Sequence, residues 1–357
     1  MLNKVNNYIN NLFDPKSGLY KFHRNGNATL LSTNFAVMTK YLFGQTYDPR
    51  VKERIIGAML EHKMEDNSFI DRQFDSSVER YHKPDYIISQ FTFFTLIALD
   101  HMNYRLSSLC FFNKYLDPKE IKKWFKQLDW KRFWYESNKI MFFIYFYAYI
   151  LAYGVDSEKR KAEECIELVF TILNAKQDKN TGYWGTDLNG SDLVDGCFGA
   201  AHILLFYDYF NRDIQYMETI IDSTLSLHAQ NSLILGLEGG ACEDYDAVEL
   251  YLRVLKHTDY RKQDIINHME IMREVVIKKQ NGNGGFPYRF WHKNNLFQLK
   301  PPETSYMYSS WDVMESRIYY PDLWGTFFRL LTVAAIEKIL EYKNDYQSYH
   351  LPGWGYL

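Results

Sequence analysis

A repeat of about 52 residues is the feature of this sequence that most restricts its fold. Apolar segments with the length of helices recur along the chain, and they begin near Asn34, Tyr86, Asn138, Asp192, Asp244 and Leu323. Charged segments with an apolar stripe of 3.6-residue period alternate with them. The apolar segments suit helices buried on every side, and the striped segments suit helices buried on one side. The sequence therefore predicts an all-α fold, an (α/α)6 toroid (barrel) of six inner and six outer helices.

The pattern also predicts where these helices lie. Inner helices are predicted over Thr33–Phe43, Tyr86–Met102, Asn138–Ala152, Asp192–Phe210, Asp244–Leu255 and Trp324–Leu340. Outer helices are predicted over Arg50–Glu61, Pro118–Leu128, Glu158–Gln177, Arg212–Ala229 and Arg261–Gln280. Two outer helices open with Asp-Pro pairs, in which Asp48 and Asp117 can cap free N–H groups while the proline suits the first helical position.

A turn that ends in an aromatic residue precedes four of the inner helices. These turns are Gly18-Leu-Tyr20, Asn67-Ser-Phe69, Gly182-Tyr-Trp184 and Gly284-Gly-Phe286. Glycine permits a positive φ, so the chain can reverse there and place the aromatic ring back on the helix pair. We expect each ring to lock one helix pair to the next.

No Pro/Gly/Ser-rich linker divides the chain, so residues 1–357 are predicted to form a single toroid domain. The last repeat interval is 79 residues, and its surplus falls in an aromatic stretch without helical periodicity. Residues 287–321 are therefore predicted to form a lid or insertion loop. The aromatic tail from Leu351 to Leu357 is predicted to fold back across the ring, because its rings would otherwise be exposed.

Charge and composition narrow the classes of partner. The chain has 41 Lys and Arg against 44 Asp and Glu, a net charge of −3, and no basic stripe, so nucleic acid is not an expected partner. The four cysteines form no CxxC pair, the first residues lack the apolar core that is typical of a signal peptide, and no apolar run reaches about 20 residues. We expect a cytoplasmic protein with reduced thiols and no transmembrane segment. Aromatic residues, 17% of the chain, suit either a packed core or an aromatic cavity.

Polar and acidic residues at the starts of the apolar helices are the candidate site. In a toroid these helix ends meet at one rim, where the helix dipoles favour negative charge. The candidates are Gln90, Asn138, Asp192, Asp195, Glu243, Asp244 and Asp246. Single acids at such positions are commonly helix caps. Carboxylates grouped over two successive helices can instead raise one another's pKa, so that one of them becomes a proton donor.

Two features resemble the prenyltransferase and squalene-cyclase repeat superfamily: the repeated glycine–aromatic turns, and the stretch from Gly239 to Val248. The stretch is similar to the Asp-x-Asp-Asp-Thr-Ala acid motif of terpenoid cyclases, with Asp244 at the position of the proton donor. Cys242, Tyr245 and Asp246 replace the other motif residues. The resemblance implies a terpenoid cyclase-like enzyme that acts on an isoprenoid or other apolar substrate in an aromatic-lined cavity. Asp244 would be the acid, flanked by Glu243 and Asp246.

A second resemblance concerns zinc. Asp195-Gly-Cys197 is similar to the Asp-x-Cys zinc motif of protein prenyltransferases, although the histidine that completes that site has no counterpart on the next inner helix. A mixed set of Asp195, Cys197 and Asp246 is chemically allowed. A buried structural cysteine beside a capping aspartate explains the same residues without a metal, and the cofactor is otherwise open.

The same residues permit a carbohydrate-active enzyme, such as a glycoside hydrolase, polysaccharide lyase or sugar epimerase. Asp192 or Asp195 would then face Asp244 or Asp246 as acid and base, and tryptophan rings would stack on sugars. A third alternative is a non-catalytic binding toroid. In each case the expected partner is a small molecule, apolar or saccharide, and the substrate-binding candidates are Asp192, Asn138, Gln90, Trp184, Tyr245 and Trp324.

Overall fold

The computed structural model describes residues 2–74, 84–186, 193–230, 240–289, 305–308 and 311–357. This part of the chain is mostly helical, and the predicted all-α class is confirmed. Its helices are α1 (Leu2–Asn10), α2 (Leu30–Leu42), α3 (Pro49–Leu60), α4 (Pro84–His101), α5 (Pro118–Phe125), α6 (Phe133–Tyr153), α7 (Asp156–Lys176), α8 (Leu193–Tyr209), α9 (Met217–Gln230), α10 (Ala241–Val254), α11 (Lys262–Lys278) and α12 (Leu323–Ile339).

The strands are short and lie in the connections. They are β1 (Phe13–Asp14), β2 (Leu19–Lys21), β3 (Ala28–Thr29), β4 (Phe286–Pro287), β5 (Ser305–Met307), β6 (Glu315–Arg317) and β7 (Pro321–Asp322). They form a three-stranded sheet in the order β1-β2-β3 and two antiparallel pairs, β4-β7 and β5-β6. Phe286 pairs with Asp322, so β4 and β7 bring the start of α12 beside the turn that follows α11.

Six helices, which we call the inner helices, carry most of the core: α2, α4, α6, α8, α10 and α12. Each packs against the next in that order, and α12 packs against α2. Nearly every residue of α2 is buried, whereas α3 buries only Ile55 and Met59 completely. The contrast follows from the sequence pattern, because a helix that is apolar on all sides needs neighbours on all sides. The charged helices α7 and α11 pack on α6 and α12 respectively.

The four aromatic turns have the predicted conformation. Their first residues are left-handed, with φ of 76° at Gly18, 66° at Asn67, 72° at Gly182 and 101° at Gly284. The rings of Tyr20, Phe69, Trp184 and Phe286 are all buried. In three of the turns an inner-helix threonine accepts a hydrogen bond from the aromatic residue's amide: Thr33 from Tyr20 at 2.9 Å, Thr92 from Phe69 at 2.9 Å and Thr326 from Phe286 at 3.0 Å. The turn and the following inner helix are thereby fixed to each other.

The predicted helix caps are also confirmed. Asp48 accepts the amide of Arg50 at 3.0 Å, and Asp117 accepts the amide of Lys119 at 2.8 Å. All four cysteines are free thiols. In the described part of the chain, no helix is both long and apolar enough to cross a membrane.

The segment predicted as a lid is only partly described, since residues 290–304, 309 and 310 fall outside the structure's described ranges. The described part contains the β5-β6 pair and a short 3-10 turn, Asp312–Met314, rather than an irregular loop. The tail is buried against the inner helices, with Leu351, Trp354 and Leu357 all less than a tenth exposed.

Candidate functional site

A cavity of about 460 Å³ lies among the N-terminal halves of five inner helices. Most of its described lining residues are aromatic: Tyr86, Phe94, Trp134, Tyr135, Tyr288, Tyr306, Tyr308, Trp324, Phe328 and Trp354. The other lining residues are Gln90, Lys131, Arg132, Asn138, Met141, Asp195, His202, Cys242 and Asp246. A mostly aromatic pocket with a few polar groups is the usual form of a small-molecule site.

Helical spacing explains which residues reach the cavity. Within a helix, residues four apart share a face, and the lining follows this rule on several inner helices. The pairs include Gln90 with Phe94 on α4, Trp134 with Asn138 on α6, Cys242 with Asp246 on α10 and Trp324 with Phe328 on α12. Each inner helix therefore presents one stripe to the cavity and packs its remaining sides against neighbouring helices.

Asp246 is the acidic residue best suited to hold a proton in this cavity. Its side chain is completely buried. Burial raises the pKa of the Asp246 carboxyl well above its ordinary value, and the nearby charges of Glu243 and Glu249 raise it further. The protonated acid is therefore favoured, and this acid faces a space lined by aromatic rings.

His202 of α8 lies between Asp246 of α10 and Ser137 of α6. Its Nε2 atom lies 3.7 Å from Asp246 Oδ1, and its Nδ1 atom lies 2.9 Å from Ser137 Oγ. Burial lowers the pKa of His202 to about 3, so the imidazole is neutral at physiological pH. A neutral imidazole beside a protonated carboxyl leaves this part of the wall without net charge. Ser137 also donates to the carbonyl of Trp134 at 2.8 Å, which fixes the hydroxyl.

Asp195 is a second carboxylate on the cavity wall, and it has a structural partner. Its Oδ2 atom accepts the backbone N–H of Trp134 at 3.0 Å. Trp134 is the second residue of α6, whose first amides have no partner within the helix. Asp195 therefore ties the start of α8 to the start of α6 while it lines the cavity.

Asp244, the acid favoured by the sequence resemblance, does not line the cavity. It is fully buried and forms an ion pair with Arg329 of α12, and Lys279 Nζ lies 3.9 Å from its Oδ2 atom. Glu243 does not line the cavity either. Its carboxylate pairs with Arg289 at 3.2 Å and accepts a hydrogen bond from the Tyr288 hydroxyl at 3.1 Å. The structure therefore places Asp246, rather than Asp244 or Glu243, on the cavity wall.

Some of the other sequence candidates line the cavity and some do not. Gln90, Asn138 and Trp324 line the cavity, and the Trp324 ring stacks on Tyr288 with centroids 3.7 Å apart. Trp184 and Tyr245 do not line it. Trp184 is part of the core and its indole donates to the Leu173 carbonyl at 2.8 Å. Asp192 lies outside the described residues.

Tyr245 has a supporting position instead, because its hydroxyl donates to Glu249 at 2.6 Å and its ring contacts Trp354. The lining residues that the sequence analysis did not select as site candidates include His202, Arg132 and Trp354. His202 had a detectable signal, since it lies seven residues after Asp195 and hence on the same face of α8.

The candidate zinc ligands do not form a site. Cys197 is buried against Tyr183 rather than at the cavity wall, and burial raises the pKa of its thiol to about 12, which disfavours the thiolate that zinc requires. Within the described ranges, no group of three or more His, Cys, Asp or Glu side chains is arranged to hold a metal ion. Asp195 instead caps the first turn of α6, which fits the alternative in which Asp195-Gly-Cys197 is a capping aspartate beside a buried structural cysteine.

No family model, curated protein or solved structure matches this chain. The chemistry of the cavity is therefore the basis for assigning a function.

Proposed function

We propose that the inner helices close into an (α/α)6 toroid and that the protein is a terpenoid cyclase-like enzyme acting on an isoprenoid or other apolar substrate. The toroid is supported by the cyclic order of packing, in which α12 returns to α2. Alternation of apolar and charged helices supports the same arrangement. The cavity then occupies the end of the ring at which the inner helices begin.

In the proposed reaction Asp246 is the general acid. Its carboxyl proton is transferred to one carbon of a substrate double bond, and the π electrons form the new C–H bond. The other carbon becomes a carbocation, and Asp246 becomes a carboxylate. A second double bond of the substrate can attack this cation and close a ring, and loss of a proton to Asp195 ends the sequence. The ring faces of Trp324, Tyr86 and Trp134 would stabilise the cation.

One observation carries the proposal: a buried carboxyl with a raised pKa faces a mostly aromatic cavity. Protonation of an alkene needs an acid that is still protonated when the substrate binds, and the raised pKa keeps the Asp246 carboxyl in that form. The aromatic faces that line the cavity also stabilise a cation there.

The test uses linear isoprenoids in deuterated water. Wild-type protein is incubated with squalene, farnesyl diphosphate and geranylgeranyl diphosphate, and the products are separated by gas chromatography and mass spectrometry. A product formed by protonation carries deuterium on carbon. Asp246→Asn should lose both product and deuterium incorporation while keeping the wild-type circular dichroism spectrum. Asp222→Asn, a change on the exposed side of α9, is the matched control and should retain activity.

The protonation mechanism is rejected if Asp246→Asn remains active or if the product carries no deuterium. Absence of turnover of all three isoprenoids would remove the proposed substrate class.

The carbohydrate alternative has one observation in its favour. Asp195 and Asp246 both line the cavity, and so do Trp134 and Trp324. Two carboxyl groups and aromatic platforms also suit glycosidic bond cleavage. Release of reducing sugar from an oligosaccharide panel, lost in both Asp195→Asn and Asp246→Asn, would favour this function. Ligand binding without turnover of either class would indicate the non-catalytic binding toroid.

A further inference from the structure

The C-terminal tail contacts the inner helices at the ends opposite to those that carry most of the cavity lining. Lining residues lie in the N-terminal halves of the inner helices, as with Gln90 on α4 and Asp246 on α10. The tail instead contacts the last turns of these helices. Tyr349 donates to Asp100 near the end of α4 at 3.1 Å, and Arg253 near the end of α10 donates to the carbonyl of Tyr356 at 2.5 Å.

Both anchors of the tail are buried and charged. Asp100 also accepts hydrogen bonds from Tyr153 at 3.0 Å and from Arg105 at 2.7 Å. Arg253 is completely buried and is itself held by Glu249 at 2.7 Å. Hydrogen bonds to charged groups are stronger than neutral ones, so the tail is fixed on each side of the segment that reaches inward.

The inward segment fits a narrow path. A Cβ atom added to Gly353 would lie 2.8 Å from Ile97 Cδ1, too close for an ordinary contact. Gly355 has a φ of 103°, which lets the chain turn back out. Between the two glycines, Trp354 projects its indole towards the cavity and is 4% exposed.

Trp354 closes the inner end of the cavity. Its ring contacts rings from three inner helices: His202 of α8 at 5.5 Å, Tyr245 of α10 at 5.4 Å and Phe328 of α12 at 5.6 Å between centroids. It also belongs to the cavity lining. One side chain therefore spans the cavity floor between three helices, and the space behind it is filled by the tail.

We infer that Trp354 sets the depth of the cavity and thereby the maximum length of the substrate. The inference rests on the proposed apolar substrate class. A chain that enters at the helix N-termini extends towards Trp354, and carbons that would pass this ring cannot be buried. A smaller residue at position 354 extends the cavity along the same axis and admits a longer apolar chain.

The test measures binding rather than turnover, with geraniol, farnesol and geranylgeraniol as probes in isothermal titration calorimetry. For each alcohol, the dissociation constant of wild type is divided by that of Trp354→Ala. The ratio should stay near one for geraniol and rise to about 10 or more for geranylgeraniol, because each buried methylene contributes to affinity. Trp354→Phe, a smaller enlargement, should give a smaller rise.

Trp124→Ala is the matched control, because Trp124 lies on α5 outside this cavity and stacks on Phe143. It should leave the ratio near one for every alcohol. If Trp354→Ala does not fold, Trp354→Leu and Trp354→Phe provide the same comparison of ligand lengths.

A ratio that does not change with ligand length overturns the inference, and so does the absence of binding by all three alcohols. Failure of the proposed function alone looks different: the ratio still rises with length, while wild-type protein turns over none of the isoprenoids.

Discussion

Replacing Asp244 by asparagine should destabilise the protein strongly. The Asp244 and Arg329 side chains are both 0% exposed and form an ion pair between α10 and α12. Asparagine keeps the size of the side chain and removes its charge. Arg329 would then retain a hydrogen bond to the Tyr288 carbonyl at 2.9 Å, but its buried charge would lose the adjacent carboxylate.

The expected cost follows from this burial. Removing one partner of a buried ion pair costs about 3–5 kcal/mol, because the remaining charge stays desolvated without compensation. Lys279 Nζ lies 3.9 Å from the same carboxylate and would also lose this neighbouring negative charge. An unfolding entropy of about 2.1 cal/mol/K per residue gives roughly 1.3 °C per kcal/mol for 357 residues, so the melting temperature should fall by roughly 4–7 °C.

Urea unfolding monitored by circular dichroism measures this cost as a change in the free energy of unfolding. Asp222→Asn is the control, because Asp222 pairs with Arg261 at the surface and such pairs contribute at most about 1 kcal/mol. In a double-mutant cycle, Asp244→Asn combined with Arg329→Gln should cost clearly less than the sum of the single changes. A loss below about 1 kcal/mol in Asp244→Asn would refute the ion-pair interpretation.

Three further predictions concern stability. Burial raises the pKa of Asp246, so the unfolded chain releases this proton first as pH rises. The free energy of unfolding of Asp246→Asn should therefore equal that of wild type near pH 3 and exceed it by about 1.4 kcal/mol more for each pH unit above about pH 4, until the folded carboxyl ionises. Urea unfolding should show that Gly284→Ala lowers the free energy of unfolding by more than about 1 kcal/mol, because its φ is 101° and an added Cβ would collide with the Lys4 backbone. Gly57→Ala has open space around it and should raise the free energy of unfolding by about 0.5–1 kcal/mol. Tyr349→Phe should lower the melting temperature, since a hydrogen bond to buried Asp100 contributes about 1.5–3 kcal/mol; an unchanged melting temperature would contradict this.

The sequence was a good guide to the helices because burial on all sides leaves a continuous apolar run. The predicted segment Tyr86–Met102 corresponds to α4, Pro84–His101, and Trp324–Leu340 corresponds to α12, Leu323–Ile339. The start of α6 was placed too late, at Asn138 rather than Phe133. Its first turn is amphipathic and aromatic, so it lacks the uniform apolar pattern that marks the rest of the helix.

The sequence could not determine which acid of α10 faces the cavity. Successive residues in an α-helix are rotated by about 100°, so Asp244 and Asp246 point about 160° apart. Only one of them can face the cavity, and the choice depends on the rotation of α10 against α8 and α12. Arg329 supplies that information, because its buried charge on α12 pairs with Asp244 and thereby directs Asp246 to the other side.

The periodicity of the sequence could not predict which residue forms the cavity floor. Trp354 belongs to no helix, and its position depends on tail anchors at Asp100 and Arg253, which are distant in sequence. A pattern of local spacing contains no information about such contacts. The sequence did indicate that the aromatic tail should be buried, although not that one of its rings would reach the functional cavity.

The packing of α12 against α2 has a consequence for how the chain matures. Nearly all of α2 is buried, yet its neighbour α12 begins only at Leu323, whose amide donates to the Phe22 carbonyl at 3.0 Å. While the polypeptide emerges from the ribosome, the flank of α2 that packs on α12 therefore stays uncovered until residues 323–339 have been made. Contacts so distant in sequence form slowly, and exposed apolar flanks favour aggregation. Nascent chains that stall before α12 should accordingly be the species that most require chaperones.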